Sequence, residues 1–147
     1  MKKFLFMCMM ALGCMTAFTA CGDDDDDPVI EDVQGDGGKV STSNLKIEDN
    51  GNQLVGSFDM SAAGATINVK ITATFQNERC VSMIEELTYP SESMAKASLA
   101  GYQKDGEKVT LKGRTITVDL SEDCAGFDKN MVRTMIEAMY KGMSAQQ

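Results

Sequence analysis

The residues with chemistry to offer in this 147-residue chain are its five cysteines, twelve methionines and a few adjacent acids. Cys80 and Cys124 are two thiols that an oxidising compartment would allow to pair. A bond between them would close a loop of about 45 residues and contribute roughly 2–4 kcal/mol. Two separate, half-buried thiols are the alternative, because spacing alone does not make them meet. A redox role needs a Cys-x-x-Cys pair or an activating neighbour, and the sequence has neither. Met131, Met135, Met139 and Met143 recur every four residues. Four thioethers on one helix are a donor set for Cu(I). The same spacing, widened by Val132, Ile136 and Tyr140, is also an ordinary core stripe, and that is the expectation. Glu85 and Glu86 are neighbours on a strand, so they point to opposite faces. They cannot flank one sugar as a glycosidase pair does, about 5–10 Å apart. Glu122-Asp123 reads as a solvated loop. Dinucleotide, P-loop and nucleophile-elbow patterns are absent. Without histidine, triad and Cys-His catalysis are closed off, as is the commonest metal ligand. Without tryptophan, the best stacking surface for sugars and bases is missing. The expectation is a non-catalytic protein with no catalytic residue and no metal.

The net charge of −8 divides unevenly along the chain. Residues 1–20 carry Lys2 and Lys3 and no acid. Residues 21–38 carry eight acids and no base. Residues 39–147 carry 12 basic and 14 acidic side chains and are nearly neutral. Such a domain has no basic footprint for a phosphate backbone, which argues against nucleic acid as a partner. Its length is enough for one modest core.

The N-terminal stretch has the layout of a removable secretory signal. Met1-Lys2-Lys3 is a basic start, and Phe4 to Ala20 is uncharged and rich in Phe, Met, Leu and Ala. A permanent span is the alternative, but seventeen uncharged residues with a small, weakly apolar end sit at its short limit. The sequence FTAC at residues 18–21 resembles a bacterial lipobox, with Phe18 where leucine is usual. The resemblance implies cleavage before Cys21 and diacylglyceryl attachment to its sulfur, with an acyl chain on its amine. This covalent lipid would be the only cofactor. ALGC at residues 11–14 is a competing site, but Cys14 would leave a shorter apolar region and an apolar tail behind it. Directly after Cys21 come Asp23, Asp24, Asp25, Asp26 and Asp27. Five adjacent carboxylates repel, extend the chain and stay in water, so they form a solvated spacer. The spacing does not suit a calcium loop. CGDDDDD also resembles the lipoprotein export signal of Bacteroidota, which implies the outer face of the outer membrane. A periplasm-facing position is the alternative. Pro28 and the glycines before Lys39 mark a linker.

These features need a scaffold, and the rest of the chain supplies one domain, residues 39–147. Ile67, Val69, Ile71, Ala73 and Phe75 alternate with polar residues, as do Leu54, Gly56, Phe58, Met60 and Ala62. Both runs read as half-buried strands joined at Gly64. Leu45 and Ile47 form a shorter strand before the Asp49-Asn50-Gly51-Asn52 turn. Gln76-Asn77-Glu78 turns into a strand from Cys80 to Tyr89. There Val81, Met83, Leu87 and Tyr89 share a face that also contains Glu85, so either a bulge shifts the register or Glu85 sits at an open edge. Ser91 caps a helix with Met94, Ala95, Ser98, Leu99 and Tyr102 on its inner stripe. A hairpin around Lys112-Gly113-Arg114 follows. A last helix is capped by Asp128, stapled by Phe127 and Val132, and stopped by Gly142. The class is α+β: an antiparallel sheet of about six strands in the order ββββ-α-ββ-α, with two helices on one face. This element order resembles that of YehR-type small bacterial lipoproteins. The partners implied are the membrane, through the lipid, and an extracellular or envelope protein, peptide or small ligand.

Overall fold

The computed structural model describes residues 40–62, 64–104 and 107–144. Cys21, Asp23 to Asp27 and the expected leader lie outside the described residues. The strands are β1 (Ser41–Asp49), β2 (Gln53–Ala62), β3 (Ala65–Gln76), β4 (Arg79–Thr88), β5 (Val109–Lys112) and β6 (Thr115–Asp119). The helices are α1 (Glu92–Lys104), α2 (Ser121–Cys124) and α3 (Lys129–Ser144). The strands form one open antiparallel sheet in the order β1-β2-β3-β4-β6-β5. The α+β class and the ββββ-α-ββ-α order therefore hold. The first four strands are a meander, which needs only short turns. After β4 the chain crosses through α1 to the far edge as β5, and β6 then inserts between them. The result is a split β-α-β unit.

Alternation decides which face is buried. Leu54, Phe58 and Met60 of β2 face inward with Ile67, Val69, Ile71, Ala73 and Phe75 of β3. Met83, Leu87 and Tyr89 of β4 and Ile116 and Val118 of β6 complete the layer. α3 covers this face over β1, β2 and β3, while α1 covers β5 and β6. α3 comes close because β2 offers no side chain at Gly56. A Cβ there would lie 2.7 Å from Ile136 Cγ2. The helix is further fixed by Thr42 Oγ1 donating to Tyr140 O at 3.1 Å and by an edge contact between the Phe58 and Tyr140 rings. The opposite face is polar, and its cross-strand pairs bond to one another. Asp59 accepts from Asn44 and Asn68, Thr88 meets Thr115, and Lys70 pairs with Glu86.

Both helix caps form as expected. Ser91 Oγ accepts from Met94 N at 3.3 Å, and Asp128 Oδ1 accepts from Met131 N at 2.8 Å. Four local expectations change. Val81 leaves the inner face, because a bulge between Thr74 and Phe75 sets Cys80 opposite Phe75 and Ser82 opposite Thr74. Val81 is the extra residue and is 47% exposed. The bulge does not expel Glu85, which stays inward. Glu122-Asp123 lies in α2, a single helical turn, and not in a loop. That turn lets Leu120 N donate to Met83 O and lets Ser121 Oγ accept from Met83 N, so the chain leaving β6 stays bonded to β4. Gly142 does not end the last helix, which runs on to Ser144. Buried Met143 keeps the final turn on the core and offsets the roughly 1 kcal/mol that glycine costs inside a helix.

Candidate functional site

In a meander the first and third turns fall at the same end of the sheet. Here those turns are Asn50 to Asn52 and Asn77-Glu78, and α3 begins beside them. The three segments line a half-open cleft of about 360 Å³, with Asn52, Asn77, Glu78 and Asn130 exposed along it and Phe75 at its base. Local chemistry builds each wall. Gly51 N donates to Asp49 Oδ1 and Asn50 N donates to Gln53 O, which closes the first turn. Phe75 N donates to Asn52 O at 2.8 Å and ties that turn to the end of β3. Asn77 and Glu78 both take positive φ, 48° and 65°. A two-residue hairpin of this hand matches the twist of its strands, but only glycine and, less well, asparagine adopt it freely. Glu78 is therefore held in a strained conformation on the rim of the cleft.

Lys129, the first residue of α3, ties the walls together. Its Nζ donates to Asp49 Oδ1 at 2.9 Å and to Gly51 O at 2.6 Å, and it lies 5.7 Å from the centre of the Phe75 ring. The Lys129 hydrogen bond, the largest cause, holds the Asp49 carboxyl below its ordinary range. The ammonium is thus engaged within the protein. The groups presented outward are the carboxamides of Asn52, Asn77 and Asn130 and the Glu78 carboxylate. They can exchange hydrogen bonds with a neutral, polar ligand.

The thiols adjoin two of the cleft walls along the chain. Cys80 follows Glu78 by two residues, and Cys124 precedes Asp128 by four. The structure brings them together: both are buried, and their Sγ atoms are 2.9 Å apart. The backbone frames the pair. Cys80 N donates to Phe127 O at 2.8 Å, Gly126 N donates to Cys80 O at 3.1 Å, and Arg79 Nη1 donates to Gly126 O at 2.9 Å. Burial, with the hydrogen bond and charge of Cys80 adding to it, pushes the Cys124 thiol up to about 12. A catalytic thiol needs the opposite shift.

The remaining candidates separate. Glu85 is buried on the inner face and Glu86 is on the outer face against Lys70, so the two carboxyls do not converge. Burial alone pushes Glu85 up to about 7, and its Oε1 has no hydrogen-bond partner. It is five residues along β4 from Cys80 and out of reach of solvent. Met139 and Met143 are buried in the core, Met135 is half-buried, and Met131 is 49% exposed. Each step of four residues advances about 40° around a helix, so the series turns off the core face. Among the described residues, no group of three or more Cys, Asp or Glu side chains is placed to hold a metal ion. No helix among them is long and apolar enough to cross a membrane. The cleft was missed from the sequence, although three asparagine-bearing turn or cap signals at one end of a meander could have pointed to it. No family model, curated protein or solved structure matches this chain.

Proposed function

We propose that the protein is a lipid-anchored lipoprotein of the bacterial outer membrane, facing the cell exterior, with a small non-catalytic domain that binds a partner. The observation that carries this reading is Cys21 followed by Asp23 to Asp27, a lipid attachment point joined to an acidic export address. The binding site proposed for the domain is the cleft at the far end of β1. The described chain begins at Val40, and β1 runs from there toward Gly51 at the cleft. Nine extended residues span about 30 Å, so the cleft lies at the end of the sheet remote from Val40. The carboxamides of the cleft suit a polar small molecule, a peptide or a loop of another protein.

Metabolic labelling with a palmitate analogue tests the anchor. Label on the wild type should vanish in Cys21→Ala, and continued labelling would move the anchor to Cys14. Protease treatment of intact cells tests the face. Loss of the domain supports surface display, whereas survival of the full-length protein in intact cells with cleavage after lysis would overturn it.

A further inference from the structure

Two buried thiols at 2.9 Å are far closer than non-bonded atoms ordinarily rest, and about 0.9 Å from the length of a disulfide bond. The elements carrying them are fixed independently by the Cys80–Phe127 and Cys80–Gly126 backbone hydrogen bonds. No large movement is needed to join the sulfurs. A structural zinc site would require about four ligands, and among the described residues no third acidic or thiol ligand joins this pair.

We propose that Cys80 and Cys124 form a disulfide in the mature protein, and that this bond braces the two walls of the cleft. The proposal rests on the exported location argued above, because a reducing cytosol would keep both groups as thiols. The reaction is an exchange with a disulfide-bearing oxidant. The thiolate of one cysteine attacks the oxidant's S–S bond and releases one thiol. The second cysteine then attacks the mixed disulfide, the Cys80–Cys124 bond forms, and a second thiol leaves. The two protein thiols lose two electrons and two protons, and the oxidant's disulfide is reduced to two thiols. Burial keeps the Cys124 thiol from ionising in the finished fold, so the exchange belongs to folding, before Cys124 is buried. Once made, the bond is shielded from soluble reductants. It holds the Asn77-Glu78 turn, through Cys80, against the approach to α3, through Cys124. The strained Glu78 backbone and the cap at Asp128 are thereby kept in register across the cleft.

Peptide mapping of the full chain without reduction tests this directly. Trypsin releases residues 80–96 and residues 115–129 as separate peptides. A bond joins them into one species, about 2 Da lighter than their sum, which reduction splits. The first arm refolds the full chain in detergent in a mixture of oxidised and reduced glutathione. The second maps the chain isolated from cells under acid quench. Joined peptides in both arms are the expected result. Separate peptides in the first arm overturn the disulfide on geometry alone. Joined peptides in the first arm with free thiols in the second overturn it for the mature protein, and assign the failure to the exported location. Reduction of the joined form should raise the unfolding equilibrium constant about 30- to 1000-fold. It should also speed hydrogen exchange at Asn77 to Cys80 and at Gly126 to Val132. Exchange unchanged at both segments would overturn the bracing role.

Discussion

Substituting Glu85 by glutamine changes how stability depends on pH, and the sign follows from where the proton sits. Glu85 faces the core between Ile71 of β3 and Val118 of β6, and is 3% exposed. Burial is the sole cause that lifts its pKa from 4.5 to about 7. The folded protein therefore keeps this proton where the unfolded chain has given it up. The contribution is fully present below about pH 4.5 and is lost as pH rises through about 7. A shift of this size corresponds to about 3 kcal/mol, at 1.36 kcal/mol per pKa unit. Asp49, Asp59, Glu92 and Asp119 are shifted down and act with the opposite sign, losing their contribution only in stronger acid. All four are exposed or nearly so, and their contributions are small. Urea unfolding at pH 5 and pH 8 should thus show the wild type losing about 2–3 kcal/mol across the interval, the rest of the loss falling below pH 5. Glutamine cannot ionise, so Glu85→Gln should unfold at nearly the same urea concentration at both values. Its absolute stability is not the readout, since a buried amide carries its own desolvation cost. Equal wild-type stability at the two values would refute the argument. So would a pH slope that persists unchanged in the variant.

Three further outcomes test other parts of the fold. Gly56→Ala should destabilise by about 1–3 kcal/mol, because its Cβ meets the stiff Cγ2 of Ile136. In a thermal-melt double-mutant cycle, Gly56→Ala with Ile136→Ala should lose less than the sum of the two single changes. Glu78→Gly should stabilise by about 1 kcal/mol in urea melts, since glycine accepts the 65° φ that glutamate resists. A loss of stability there would mean that the Glu78 side chain makes a compensating contact. Asp128→Ala should cost about 1 kcal/mol through loss of the bond to Met131 N, with Asp128→Asn recovering most of it in the same assay.

What the sequence made legible was set by short-range rules. The alternation in β2 and β3, the turn at Asp49 to Asn52 and the caps at Ser91 and Asp128 each depend on a handful of neighbouring residues, and each forms where those rules place it. The errors share a different cause. Strict parity puts Val81 on the inner face, and a single inserted residue at the bulge breaks parity for everything before it in β4. Glycine ends isolated helices, but the helix runs past Gly142 because Met143 beyond it is buried in the core. Short α2 exists because Ser121 and Leu120 can bond Met83, a residue 37 or 38 positions away. Such long-range bonds leave no periodic trace in the chain.

The same distinction explains why Cys80 and Cys124 remained two alternatives in the sequence and became one arrangement in the fold. Nothing local draws them together. They meet because β6 returns beside β4 and α2 then folds its single turn back over the start of β4. The cleft has the same origin, since its walls come from residues 51–52, 77–78 and 128–130. A deletion in the hairpin of β5 and β6 would therefore be felt at the cleft, although no residue of that hairpin lines it. The path runs through β6 to Leu120, through α2 to Cys124, and on to the cap of α3. Site and brace are joined by topology, and a disulfide at this junction would add a covalent bond to the backbone hydrogen bonds that already tie Cys80 to Gly126 and Phe127.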